Sequence, residues 1–208
     1  MIPARTYHHG DLRRALVDEA YEEVREHGAA DLSLRAVAAR VGVSPSAAYH
    51  HFSDKDALLI EAGERANETF NVRMRAAAAA VPGDTDLQAC HRFLALARAY
   101  VHFALEEPHL FRHNFGELCA RHAGPPAPGG GDGAFGLLLA ALDQLDSRGV
   151  ISASREHLEL VLWSAVHGFA ELALVGWMPP AAEDQFLDAL ARLTLDPQTY
   201  TRLVGRRR

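Results

Sequence analysis

The stretch Leu32–Leu58, "LSLRAVAARVGVSPSAAYHHFSDKDAL", holds two short helical patterns separated by Gly42-Val43-Ser44. Leu34, Val37, Ala38 and Val41 form one apolar face of a helix only two turns long, too short to stand alone, so it must pack on neighbours. Gly42 allows a tight turn, Val43 plugs the angle between the helices, and Ser44 is a capping residue with Pro45 at its favoured first position. Ala38 is small enough for the second helix to cross closely. This is the layout of a helix-turn-helix. On the second helix, Ser46, Ala47, Tyr49 and His50 point away from Ala48 and Phe52, the expected core contacts. Small residues at 46 and 47 let such a helix sit deep in a groove, and Tyr49 and His50 offer hydrogen bonds to phosphates or base edges. Lys55, the only lysine among 21 Lys and Arg residues, falls after Ser53 in the first turn of a following helix. Backbone N–H groups and the helix dipole favour an anion there.

Working outward, apolar spacing is helical almost everywhere, so the fold class is all-α. The periodicity predicts helices near 11–27, 34–41, 45–51, from after Ser53 to about 79, from Thr85 (whose Thr85-Asp-Leu-Gln88 has capping-box spacing), and near 109–121, 134–148, 155–177 and 183–195, about nine in all. Gly28 closes the first. "GPPAPGGGDG", Gly124–Gly133, is predicted to be an irregular loop. Arg5 precedes the first helix in an arm expected not to make contacts, and Arg206–Arg208 form a solvated basic end. The organisation expected is a three-helix domain over residues 1–56 and a larger helical domain over 57–208.

Composition limits the function. The formal charge is -6, which argues against coating nucleic acid or an anionic membrane by bulk electrostatics. Residues 1–56 carry seven Lys/Arg against nine Asp/Glu, so recognition of nucleic acid would have to rest on geometry. Cys90 and Cys119 lack metal or redox spacing and read as reduced thiols in a cytoplasmic protein. The start of the chain is too polar for a signal peptide, and no apolar run approaches a membrane span. No GxSxG, P-loop or dinucleotide fingerprint appears. A di-metal bundle needs paired Glu-x-x-His helices. The chain has Glu106-x-x-His109 once, interrupted by Pro108. The reading is therefore non-enzymatic, without cofactor or resident metal.

"YHHGDLRRALVDEAYEEVREHG", Tyr7–Gly28, and "LSLRAVAARVGVSPSAAYHHFSDKDALL", Leu32–Leu59, closely resemble the N-terminal domain of the TetR family of transcriptional regulators. In that family a long first helix leads into a helix-turn-helix ending in a Tyr-His-His-Phe type of signature, here Tyr49-His50-His51-Phe52, followed by a lysine, here Lys55. The resemblance implies phosphate contacts from Ser33 and Arg35, a recognition surface of Ser44, Pro45, Ser46, Ala47, Tyr49 and His50, and a backbone clamp at Lys55. Ala47-Ala48 departs from the larger or hydrogen-bonding residues of many members. Specificity would then lean on DNA shape and on contact with thymine methyls.

In the larger domain, Leu158, Val161, Leu162, Ala165, Val166, Phe169, Leu172 and Ala173 form one stripe, and Leu160, Trp163, His167 and Leu174 another. A helix apolar around most of its circumference is buried on most of it. One side in the core and one against a second subunit is the expected arrangement, with Gly168 permitting close approach. Phe186, Leu187, Leu190 and Leu193 supply a second apolar helix. Homodimerisation through 155–177 and 183–195 would place two recognition helices in successive major grooves, about 34–36 Å apart. "LVLWSAVHGFAELALVGW", Leu160–Trp177, also resembles a TetR subfamily marked by Trp, His and Gly, here Trp163, His167 and Gly168, which implies a sensor domain. Phe103, Phe111, Phe115, Trp163, His167 and Trp177 are the candidate lining for a small apolar or aromatic effector. The function expected is a DNA-binding repressor of an inverted repeat, released by that effector. Two alternatives stand beside it. One is a metal-responsive regulator using His109, His113 and Glu117, spaced four apart with Cys119 and His122 nearby. The other is a helical interaction module that has lost DNA binding, for which the acidic first domain speaks.

Overall fold

In a computed structural model, the described residues are 9–123, 131–152, 154–179 and 181–205. Arg5, Gly124–Gly130 of the expected loop, the basic end 206–208 and the side chain of Glu117 lie outside them. The described residues form eleven helices: α1 (His9–His27), α2 (Leu34–Val41), α3 (Pro45–Tyr49), α4 (Lys55–Ala79), α5 (Asp86–Glu106), α6 (Pro108–Asn114), α7 (Glu117–Ala123), α8 (Ala134–Ser147), α9 (Leu158–Leu174), α10 (Ala182–Thr194) and α11 (Pro197–Gly205). The only strand-like pairing among them is an isolated antiparallel bridge, Ile151 with Leu195.

Two compact units emerge. The first comprises the chain up to Thr69 together with Glu107–Pro125, that is α1–α3, most of α4, α6 and α7. Its buried residues include Leu16, Ala20, Val24, Leu34, Val37, Ala38, Ala48, Phe52, Leu58 and Ala62. The apolar positions 16, 20 and 24 recur every four residues, which fixes the inward face of α1. The second unit takes Phe70–Glu106 and the chain from Pro126 onward. There α5 is the central helix, and Cys90, Phe93 and Leu94 pack with Leu142 and Leu145 of α8, Leu158 and Leu162 of α9, and Leu187 and Leu190 of α10. Each buried leucine contributes about 1.5–3 kcal/mol relative to exposure. The boundary expected at 56/57 falls inside the first turn of α4, whereas the two units part at 69/70.

The expected capping box is present. Thr85 Oγ1 accepts from the Gln88 N–H at 3.3 Å, and Gln88 Oε1 accepts from the Thr85 N–H at 2.9 Å. Two features differ from the sequence reading. The single helix expected over 109–121 is two, because Gly116 sits where an added Cβ would lie 2.8 Å from the Arg112 carbonyl. α11 was not anticipated. Asp196 Oδ1 accepts from the Gln198 and Thr199 N–H groups at 2.9 and 3.1 Å, and Pro197 stands at the first helical position. That is the capping chemistry expected of a helix start.

Candidate nucleic-acid interface and inner cavity

The helix-turn-helix is built by short-range chemistry. Gly42 takes φ 84°, a left-handed conformation that closes α2, and the Val43 N–H donates to the Ala38 carbonyl at 2.9 Å. Ser44 is extended, and its hydroxyl accepts from the Ala47 N–H at 3.2 Å, with Pro45 opening α3. Ala38 and Ala48 are both fully buried, and α2 and α3 pack on each other. The outer face then follows. Ser33, Arg35, Ser44, Pro45, Ser46 and His50 are exposed, Tyr49 is 46% exposed, and Ala47 is half-buried beside them.

Lys55 also makes a contact within the protein. Its ammonium donates to the Ala30 carbonyl at 2.6 Å, tying the start of α4 to the α1–α2 connection. The anion at the α4 N-terminus is the protein's own. Asp54 Oδ1 accepts from the Ala57 N–H at 2.8 Å, and that bond, helped by the Ser53 hydroxyl, holds the carboxyl below its ordinary range. Asp54 therefore caps this helix. Other cations nearby also face protein. Arg40 pairs with Glu19 and Glu23, Arg65 with Asp18, and Arg25 with Glu107 at 2.9 Å.

The histidines of α6 and α7 do not assemble as a metal set. His109 faces Gly28, where an added Cβ would lie 3.2 Å from its Nδ1. His113 is 7% exposed, and its Nε2–H donates to the Leu59 carbonyl of α4 at 2.9 Å. Burial pushes its pKa below the ordinary imidazole value. Cys119 Sγ lies 3.8 Å from that Nε2, its thiol pushed up by burial and by Glu64. Among the described residues, which leave out the Glu117 side chain, no group of three or more His, Cys, Asp or Glu could hold a metal ion.

Gly63 makes this packing possible. A Cβ there would meet Cys119 Sγ at 2.6 Å and His113 Nε2 at 3.2 Å, so the bare backbone is the notch through which the imidazole reaches Leu59. Alanine should gain about 0.8–1.0 kcal/mol of helix propensity, yet overpacking costs about 1–3 kcal/mol. Gly63→Ala is therefore expected to lower the urea midpoint, and adding Cys119→Ala to recover it. A single variant as stable as the parent would contradict this packing.

In the second unit, a cavity of about 30 Å³ lies among Phe93, Leu96, Tyr100, Leu138, Leu162 and Trp163. Its lining carries no charged side chain. The Tyr100 hydroxyl and His167 Nδ1 are 2.8 Å apart, and the Tyr100 and Trp163 rings meet edge to face at 5.3 Å. Burial foremost, then Glu171, pushes the phenol pKa up. Of the candidate lining residues, Trp163 borders this cavity and His167 reaches it only through Tyr100. Phe103 is fully buried against Phe70, with ring centroids 4.9 Å apart. Phe111 and Phe115 pack on each other at 4.9 Å in the first unit. Trp177 is 80% exposed in the turn after Gly176. None of these four rings borders this cavity, because packing within each unit, rather than aromatic character, decides where a ring goes. Tyr100 and Phe93 take their place. They lie seven apart on α5, one face of two turns, and that spacing was the available signal. A more open groove of about 450 Å³ borders Val81, Pro82, His91, Arg98 and Leu187, but Arg98 is already held by Glu183 and Asp184, both at 2.7 Å.

Comparison with known proteins agrees with this architecture. Residues 16–62 match the family described as bacterial regulatory proteins, tetR family, and residues 93–196, half the chain, match the tetracyclin repressor-like C-terminal domain. An uncharacterized HTH-type transcriptional regulator of Haemophilus influenzae is 38% identical over 78 residues; that match spans 37% of this chain and 38% of that curated relative's length. A solved protein of unknown function from Rhodococcus sp. RHA1 is 29% identical with a TM-score of 0.66, covering 96% of this chain and 98% of that one. The multidrug binding protein EbrR, solved with imidazole, shares the fold at 22% identity with a TM-score of 0.58, over 95% and 99% of the two chains. With a helix-turn-helix at one end and the repressor-like helical domain over half its length, the chain belongs to the TetR family of bacterial regulatory proteins.

Proposed function

We propose that the chain is a DNA-binding transcriptional repressor that holds an inverted-repeat operator as a homodimer and is released by a small apolar or aromatic effector. The observation that carries this reading is the outer face of α3. Ser46, Tyr49 and His50 stand exposed on a helix whose opposite side, Ala48, is fully buried. A polar face on a rigidly seated short helix suits the major groove. Ser33 and Arg35 at the start of α2 suit phosphates, and the Lys55 ammonium has two further N–H groups with which to meet one.

Dimerisation is supported by α9, where Leu160, Val161 and Leu172 are 38–54% exposed, by Val175 just after it at 58%, and by Leu193 of α10 at 48%. An effector site is supported by the neutral cavity beside Tyr100 and Trp163, and by the Trp163, His167 and Gly168 pattern. A volume of about 30 Å³ holds one or two waters rather than an aromatic ring. An effector would therefore bind a state in which this cavity is open. It can shift the protein away from DNA only by its differential affinity for the two states. Helix α4 runs unbroken from one unit into the other and is one covalent route for that shift.

Tyr49→Ala tests the base-reading role. Binding of the preferred duplex is expected to weaken by about 1–3 kcal/mol, with random duplex affinity unchanged. Equal losses on both would reduce Tyr49 to a phosphate contact.

A further inference from the structure

We infer that Arg13 is a positioning residue that holds the C-terminal end of the recognition helix, an inference that rests on the DNA-binding reading above. Arg13 belongs to α1, yet its guanidinium makes three contacts with the segment from α3 to α4. One N–H donates to the His51 carbonyl at 2.7 Å. A second pairs with the Glu61 carboxylate of α4. The planar face lies over the Phe52 ring, 4.5 Å from its centroid.

His50 is the C-cap of α3, and His51 follows it. Carbonyls at a helix end lack intrahelical partners, and the dipole there favours a cation. Arg13 supplies both the donor and the charge. A five-residue helix cannot hold its own orientation, so Tyr49 and His50 aim where the brace at His51 lets them. Arg14, the next residue, shows the contrast. Its side chain is 84% exposed and only 3.8 Å from Asp18 at its nearest. Sequence alone would assign either arginine to DNA phosphate, but the geometry turns Arg13 inward. A lysine cannot reproduce a fork, a stacking plane and a charge together.

The test uses the full-length protein and two probes: a duplex recovered by the parent protein from a random pool, and a scrambled duplex of the same length and composition. Arg13→Met keeps an apolar stem over Phe52 and removes the fork. Affinity for the recovered duplex is expected to fall about tenfold, the loss of one charge-assisted hydrogen bond. Affinity for the scrambled duplex, and its dependence on salt, should not change. Arg13→Lys keeps charge and one donor and should fall between, giving the readout if the methionine variant does not fold. Equal losses on both duplexes, with the salt slope reduced by about one, would make Arg13 a phosphate contact and overturn the inference. Undiminished discrimination in both variants would overturn it too. A parent protein that distinguishes no duplex would refute the DNA-binding reading itself, and this is seen before any variant is made.

Discussion

Gly168→Arg is expected to convert the protein from dimer to monomer in sedimentation at micromolar concentration, and to weaken operator binding by a factor of about 10²–10⁴. Within one chain there is room for a side chain to leave the backbone here. A Cβ at Gly168 meets no atom within 4 Å, and replacing a helical glycine gains about 0.8–1.0 kcal/mol of propensity. The residue lies at the centre of the exposed α9 stripe, with Val161 and Leu172 seven and four positions away on the same face. On the proposed dimer, an arginine there would separate the two copies of α9. Loss of the second half-site removes its effective concentration, so each monomer would bind DNA independently. A Gly168→Arg protein that stays dimeric and binds undiminished would place the subunit interface elsewhere.

Phe52→Ala is expected to cost about 3–5 kcal/mol, through lost burial and the cavity left behind. Phe52 is 2% exposed, among the largest wholly enclosed side chains. Its amide donates to the Ala48 carbonyl at 3.0 Å, so the ring pins the chain as it leaves α3. Its loss also removes the platform under Arg13. Since whole domains are stable by only about 5–15 kcal/mol, DNA binding should vanish at temperatures where the parent protein is still folded. Denaturant unfolding followed by circular dichroism checks the magnitude. A loss below about 1 kcal/mol would mean that the ring is not an anchor of this unit.

The helix-turn-helix was legible because its determinants are local. Gly42, Ser44 and Pro45 act within four residues of themselves, and the Ala38–Ala48 crossing needs only small side chains. The apolar repeats of α1, α5 and α9 were legible for the same reason, since periodicity is written along one helix. What escaped was decided by partners distant in sequence. The commitments of Arg13 to His51, Lys55 to Ala30 and His113 to Leu59 span 38, 25 and 54 positions. Long flexible cations and imidazoles carry no sequence mark of the carbonyl they will find. The lining of the small cavity was hidden for the same reason. Phe111, Phe115 and Trp177 have the right chemistry, but a surface turn and a separate compact unit claim them. α11 was missed although Asp196-Pro197 announced it, because nine residues at the end of a chain show too few repeats to reveal a face.

The most direct test is selection of duplexes from a random pool by the purified protein at near-physiological salt. The account predicts enrichment of an inverted repeat whose half-site centres are one helical turn or a multiple of it apart, as two recognition helices of a symmetric dimer require. Recovery of no preferred duplex, even at low salt where phosphate contacts are strongest, would contradict it and leave the helix-turn-helix as scaffold.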